Sequence, residues 1–175
     1  MFKRIKQFYF GLTAEITKID HDFLNVYLSP EERELFYNMD AATQFHSIRV
    51  AKTAQQLMTR YPAVDKNLLL RVALLHDIGK PAGHLTTILR SLIVLINHFS
   101  PNFAHKLARP GRGNRWNNLR HGLYIQYNHP SIGGELAKKA GVDSQVVTLI
   151  EDHHRLAKPE DSIELTILRK ADNLN

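Results

Sequence analysis

Apolar residues recur at helical spacing along most of this chain, and on five segments the apolar stripe carries a histidine or an aspartate. On the first, His46, Val50, Ala54 and Leu57 share one stripe. Leu68, Val72, Leu75 and His76 do the same on the second, with Asp77 adjacent. His129 leads a stripe of Ile132, Gly133, Leu136 and Ala140. Val146, Val147, Ile150, His153 and His154 fall on one face, and Leu165, Leu168 and Asp172 line up on the last. Each polar group sits at the edge or end of an apolar face, so it points toward the core or a cleft in it. Burying so many is costly unless each has a partner.

Helix punctuation supports an all-α reading. Ser29-Pro30-Glu31-Glu32 has the pattern of a capping box with proline at the first helical position. Asp40 caps a helix expected to run to about Tyr61, where Pro62 stops it. Further helices are expected over 65–79, 85–99, from His129-Pro130 to Gly141, from Asp143 or Ser144 to about Leu156, and from 159–161 through Asp172. Gly79, Pro81 and Gly83 break the chain between the first and second of these. The stretch 101–128, with Pro110-Gly111-Arg112-Gly113, reads as a long loop with short helical pieces inserted over the site. No alternating strand pattern and no repeat is present. The expectation is one compact helical domain over 1–175, with 1–39 as an N-terminal helical extension.

The chain contains no cysteine, so a metal would have to be held by His, Asp or Glu. Ten histidines are present. One on an apolar face is usually a hydrogen-bonded core residue; seven inward-phased His and Asp groups on separate helices fit a metal centre that satisfies them together.

The motifs carry a resemblance. LLHDIGK (Leu74–Lys80) resembles the signature of HD-superfamily phosphohydrolases, and QFHSIRVA (Gln44–Ala51) their first-histidine segment. HPSIGGELAKKAG, IEDHH and LRKADNLN are similar to the third, fourth and aspartate-bearing segments. The order H…HD…H…HH…D is complete. The resemblance implies an HD-domain bundle and a binuclear, HDIG-type metal site. Its ligands would be His46, His76, Asp77 and Asp172, joined by His129, His153 and His154, with Asp77 bridging two ions. It also implies Lys80 as a contact to substrate phosphate. The implied reaction is hydrolysis of a phosphoester or phosphoanhydride by a metal-bridging hydroxide, with Asp77 and Lys80 as the catalytic side chains. Iron or manganese is favoured for a mixed N and O ligand set without thiolate; Mg, Zn, Ni and Co are also compatible. Where HD-GYP phosphodiesterases carry Gly-Tyr-Pro, this chain has RLAKPED (Arg155–Asp161), which argues against cyclic di-GMP.

The net charge of +6 and a pI near 9.6 favour an anionic partner: a phosphate compound, nucleic acid or a membrane surface. A nucleotide-like phosphate substrate is the first expectation, without a stable nucleic-acid complex. Arg112 and Arg115 are expected to contact it from a mobile cover that also carries Arg109, Arg120, Trp116, Tyr124 and Tyr127. The other readings are a non-catalytic HD-like signalling or binding module, a cyclic-dinucleotide phosphodiesterase and a nucleic-acid-binding helical domain. The basic, aromatic start MFKRIKQFYFGL does not read as a signal peptide, and the apolar run 88–99 is too short to span a bilayer. A cytoplasmic protein is expected. His21, His84, His98, His105 and His121 match no ligand position, and surface or packing roles are expected for them.

Overall fold

A computed structural model describes residues 16–80 and 87–175. Its described residues form α-helices with no strand: α1 (Lys18–Tyr27), α2 (Pro30–Tyr37), α3 (Ala41–Leu57) with a short 3-10 turn (Met58–Arg60), α4 (Lys66–Leu75), α5 (Thr87–Phe99), α6 (Pro101–Leu107), α7 (Arg115–Lys139), α8 (Ser144–Asp152) and α9 (Ile163–Leu174). The break at Pro81 and Gly83, and His84, lie outside the described residues, as does the chain before Ile16.

Local chemistry sets most of the helix starts. Thr17 and Asp20, and Ser29 and Glu32, close reciprocal capping boxes at the starts of α1 and α2. Asp40, Asp65, Asn114 and Ser162 each accept a backbone N–H in the first turn of the helix they precede. Gly141 ends α7 in the left-handed region at φ 73°, and the Val142 N–H returns to the Ala137 carbonyl.

The capping carboxylates also tie the N-terminal helices to the domain. Lys52 on α3 donates to Asp20 at 2.6 Å, and Arg71 on α4 donates to Glu32 at 2.7 Å. Leu24, Leu28, Phe36 and Met39 share the main core with α3, α4, α8, α9 and the end of α7. The helices of the N-terminal extension are thus part of the domain's packing rather than an appendage. Ile93, Ala104, Leu119 and Leu123 form a second, smaller core where α5, α6 and the first half of α7 meet.

Four boundaries differ from expectation, the simplest being the end of α8, at Asp152 rather than about Leu156. The 101–128 segment is mostly helical: α6 and the first half of α7 flank a loop of only 108–114. Pro130 does not open a helix but lies inside α7. The helix ahead of the His76-Asp77 pair stops at Leu75, and 76–79 form tight turns in which Ile78 N–H bonds the Leu75 carbonyl and Lys80 N–H the Asp77 carbonyl.

Candidate metal centre

The histidines at the C-terminal ends of α4 and α8 follow one rule. His76 Nδ1 lies 2.9 Å from the Ala73 carbonyl and His153 Nδ1 2.6 Å from the Ile150 carbonyl, each three residues back. Last-turn carbonyls have no helical donor, so the ring N–H supplies one. His129 achieves the same inside a helix. Pro130 has no N–H to give the carbonyl four residues back, that of Gln126, and His129 Nδ1 takes its place at 3.0 Å. In all three rings Nδ1 is committed to the backbone, and Nε2 is left as the inward-facing atom.

These inward atoms converge. His46, His76 and Asp172 form one group, and His129, His153 and His154 another; within each, one candidate ligand atom per residue lies within 4.8 Å of the rest. Asp77 stands between them. Its Oδ2 is 3.6 Å from His76 Nε2 and 3.9 Å from His46 Nε2. Its Oδ1 is 3.3 Å from His129 Nε2 and 3.9 Å from His153 Nε2. One carboxylate thus presents one oxygen to each group. Lys80 Nζ lies 2.8 and 2.9 Å from the two oxygens. Asp172 Oδ1 is 3.0 Å from His46 Nε2.

The donor set fits divalent cations. His76, Asp77, His129 and His153 are buried, His46 and Asp172 half-buried, and His154 reaches solvent. His76 Nε2 is fully buried and has no hydrogen-bond partner among the described residues, an arrangement that costs free energy unless another group satisfies it. Burial works to raise the Asp77 pKa, yet Lys80 and the surrounding imidazoles outweigh it and hold the carboxyl well below the usual range. Burial also opposes ionisation of Asp172, and the bond from His46 with the nearby His76 reverses that. Burial, with Lys80 nearby, lowers the His129 pKa. His153 is pushed well down by burial and by the neighbouring His76 and His154 rings. Desolvation, with His129 and Lys80, lowers His154 to about 4. The second group therefore offers neutral imidazole lone pairs at neutral pH, and both aspartates are anionic, the protonation states that metal ligation requires.

A family model for the HD domain matches residues 43–175. The chain belongs to the HD domain family. No curated protein and no solved structure matches it. Metal-dependent hydrolases predominate among HD domains, and metal-dependent phosphohydrolysis is the general activity the family suggests for this chain.

The structure brings all seven sequence-predicted ligands and Lys80 of this HD domain into one cluster, but it does not bring the two arginines there. Arg112 sits in the exposed 108–114 loop and Arg115 at the exposed start of α7. Fourteen residues of helix separate Arg115 from His129, about 21 Å along the axis at ~1.5 Å per residue. The remaining described histidines serve packing or the surface. His21 bonds the Tyr37 hydroxyl, His105 packs against Tyr127, and His121 accepts from the Gly111 N–H and stacks on Tyr124.

Sequence reading missed the residues that hold the cluster in place. Arg169, three residues before Asp172, donates to the carbonyls of Asp152 and His153 at 2.8 and 3.2 Å. Its guanidinium is fixed by Asp161 at 2.5 Å, which also binds Arg155. The α8 end that carries His153 and His154 is thereby pinned to the α9 turn that leads to Asp172. Asn175 donates to Thr53 on α3 and to the Ala171 carbonyl, both at 2.8 Å, joining α9 to the helix that bears His46. Gly79 lets the turn after Asp77 press against α7: a Cβ there would lie 2.0 Å from the His129 carbonyl oxygen. Only the glycine was visible as a signal, and it read as a helix stop.

Proposed function

We propose that this HD domain is a phosphohydrolase that uses two divalent metal ions to cleave a phosphoester or phosphoanhydride bond in a nucleotide-like substrate. The observation that carries the reading is the division of Asp77, one oxygen toward His46 and His76 and the other toward His129 and His153. His46, His76, Asp172 and Asp77 Oδ2 would hold one ion, and His129, His153, His154 and Asp77 Oδ1 the other. Ions bound there supply Lewis acidity and a lowered pKa for water. Iron or manganese suits the nitrogen and oxygen donors best.

The chain's own groups do the rest. Asp77 and Asp172 stay anionic, and His129, His153 and His154 stay neutral, so the second group needs no deprotonation at neutral pH. Lys80 extends over Asp77 with its ammonium partly exposed, so it is available to a phosphoryl oxygen and neutralises charge that grows in the transition state. Arg115, about 21 Å along α7 from His129 at ~1.5 Å per residue, and Arg112, in the exposed loop before that helix, contribute long-range attraction for anions instead of direct contacts.

The preferred substrate is a nucleoside mono- or polyphosphate, dinucleoside polyphosphates included. Another cyclic dinucleotide ranks second and a non-nucleotide phosphoester third; the absent Gly-Tyr-Pro segment argues against cyclic di-GMP. A non-catalytic module is disfavoured by the complete ligand set and by the unsatisfied His76 Nε2. The test is elemental analysis of protein never exposed to chelator or a His-tag column, followed by a phosphate-compound panel at matched metal loading. About two ions per chain are expected for a binuclear site. Less than one ion per chain overturns the binuclear reading. Preference for a sugar phosphate over every nucleotide overturns the substrate class.

A further inference from the structure

Charge is distributed very unevenly along this chain. Residues 78–134 contain seven lysines or arginines and no aspartate or glutamate. Of the totals of 23 basic and 17 acidic residues, 16 and 17 are left for the remainder, which is close to neutral. The whole positive excess therefore lies on the segment that includes α5, α6 and the first half of α7. Lys106, Arg109, Arg112 and Arg115 are exposed there.

The same helices expose apolar side chains. Leu89, Ile93 and Ile96 turn one stripe of α5 into the smaller core. Leu92, Leu95 and Phe99, at spacings of three and four, form a second stripe and are 42%, 52% and 77% exposed. Phe103 on α6 and Trp116 on α7 add exposed rings. An exposed apolar stripe on a segment that carries cations and no acidic residue suits the boundary between water and an anionic lipid surface, where apolar side chains leave water and cations meet headgroups. No helix of the described residues is long and apolar enough to cross a membrane, which fits contact with a surface rather than a span.

We infer that α5, α6 and the start of α7 dock on an anionic lipid surface, with Leu92, Leu95 and Phe99 entering the interface and Lys106 and the nearby arginines at the headgroups. This is independent of the phosphohydrolase reading. Charge complementarity selects the partner. A second copy would set two positively charged segments against each other, and their repulsion opposes pairing. A nucleic acid satisfies the cations but gives the leucines no exit from water.

The test is co-sedimentation of the full chain with phosphatidylcholine vesicles, with and without phosphatidylserine. Binding to the anionic vesicles is expected, weakened by high salt. The pair Leu95→Gln and Phe99→Gln lowers binding roughly tenfold or more. Lys106→Gln lowers it about fivefold. Far-UV circular dichroism checks that each variant is folded. Energy transfer from Trp116, the only tryptophan, to a dansyl-labelled lipid reports docking of the unmodified chain, should the pair disturb folding. No binding and no transfer with anionic vesicles overturns the inference. So does vesicle binding that the folded pair leaves unchanged. Two further results also overturn it: a dimer that the pair dissociates, which makes the surface a self-interface, and preference for duplex nucleic acid that the pair leaves intact.

Discussion

Gly79→Ala tests whether the backbone contact beneath the cluster sets its geometry. The added Cβ would lie 2.0 Å from the His129 carbonyl oxygen and 2.8 Å from the Gly133 nitrogen, both main-chain atoms that cannot swing aside. Ordinary contact begins at 3.4 Å, so the 76–79 turn and α7 must part by about 1.4 Å. Asp77 Oδ1 and His129 Nε2, now 3.3 Å apart, sit on the two sides of that gap. A binding constellation tolerates displacements of only ~0.5 Å, so the second group should lose its ion. Overpacking of this kind costs ~1–3 kcal/mol or more. At ~2–4 °C per kcal/mol for a chain of this length, the upper end is a fall of about 6–12 °C in Tm. Gly133→Ala is the graded control. Its closest contact is 3.1 Å, to an Ile150 methyl carbon that can move, so a smaller loss is expected. Melting curves of the metal-free forms with metal content of the native forms decide the matter. A Gly79→Ala protein with unchanged Tm and full metal would refute the reasoning.

Asp77→Ala should remove both ions, because each group loses its shared oxygen; a variant that keeps full metal and activity shows that Asp77 does not bridge. Lys80→Ala should keep its metal and lose turnover by ~10²–10³-fold, the range for one transition-state electrostatic contact. Metal loss instead makes Lys80 structural. In the metal-free protein the lowered histidine pKa values predict acid sensitivity. The unfolded chain takes protons as pH falls through 6.5, while folded His129, His153 and His154 resist them, so stability falls from pH 6.5 downward. The loss attributable to His154 is complete at about pH 4, where the folded state also binds the proton. Below 3.8 the depressed Asp77 and Asp172 add a second loss as their carboxylates protonate. A Tm, measured in chelator, that stays level from pH 7 to 4 would contradict this assignment.

Much of the architecture was readable from sequence because it is written in local chemistry. Capping at Ser29, Asp40 and Asp65 depends on residues three positions apart, and the apolar stripes repeat within one helix. The seven His and Asp groups were recognisable because helical phase fixes which way a side chain leaves the backbone, and their order along the chain matched a family pattern.

Where local rules have two outcomes, only the tertiary structure chose between them. Proline suits a first helical turn, yet Pro130 lies inside α7, where His129 takes over the carbonyl that proline leaves without a donor. The glycines and arginines of 101–128 suggested loop, yet contacts among α5, α6 and α7 around Leu119 and Leu123 make most of that segment helical and carry its arginines away from the cluster. The hold of Arg169 on the end of α8 and the approach of Gly79 to His129 each join residues distant in sequence, and Asp77, whose bridging place the family resemblance implied, takes its oxygen-by-oxygen geometry from the packing. Periodicity describes one element at a time, so it indicates which residues face inward but not which atom of one element meets which atom of another; that is fixed when the helices pack.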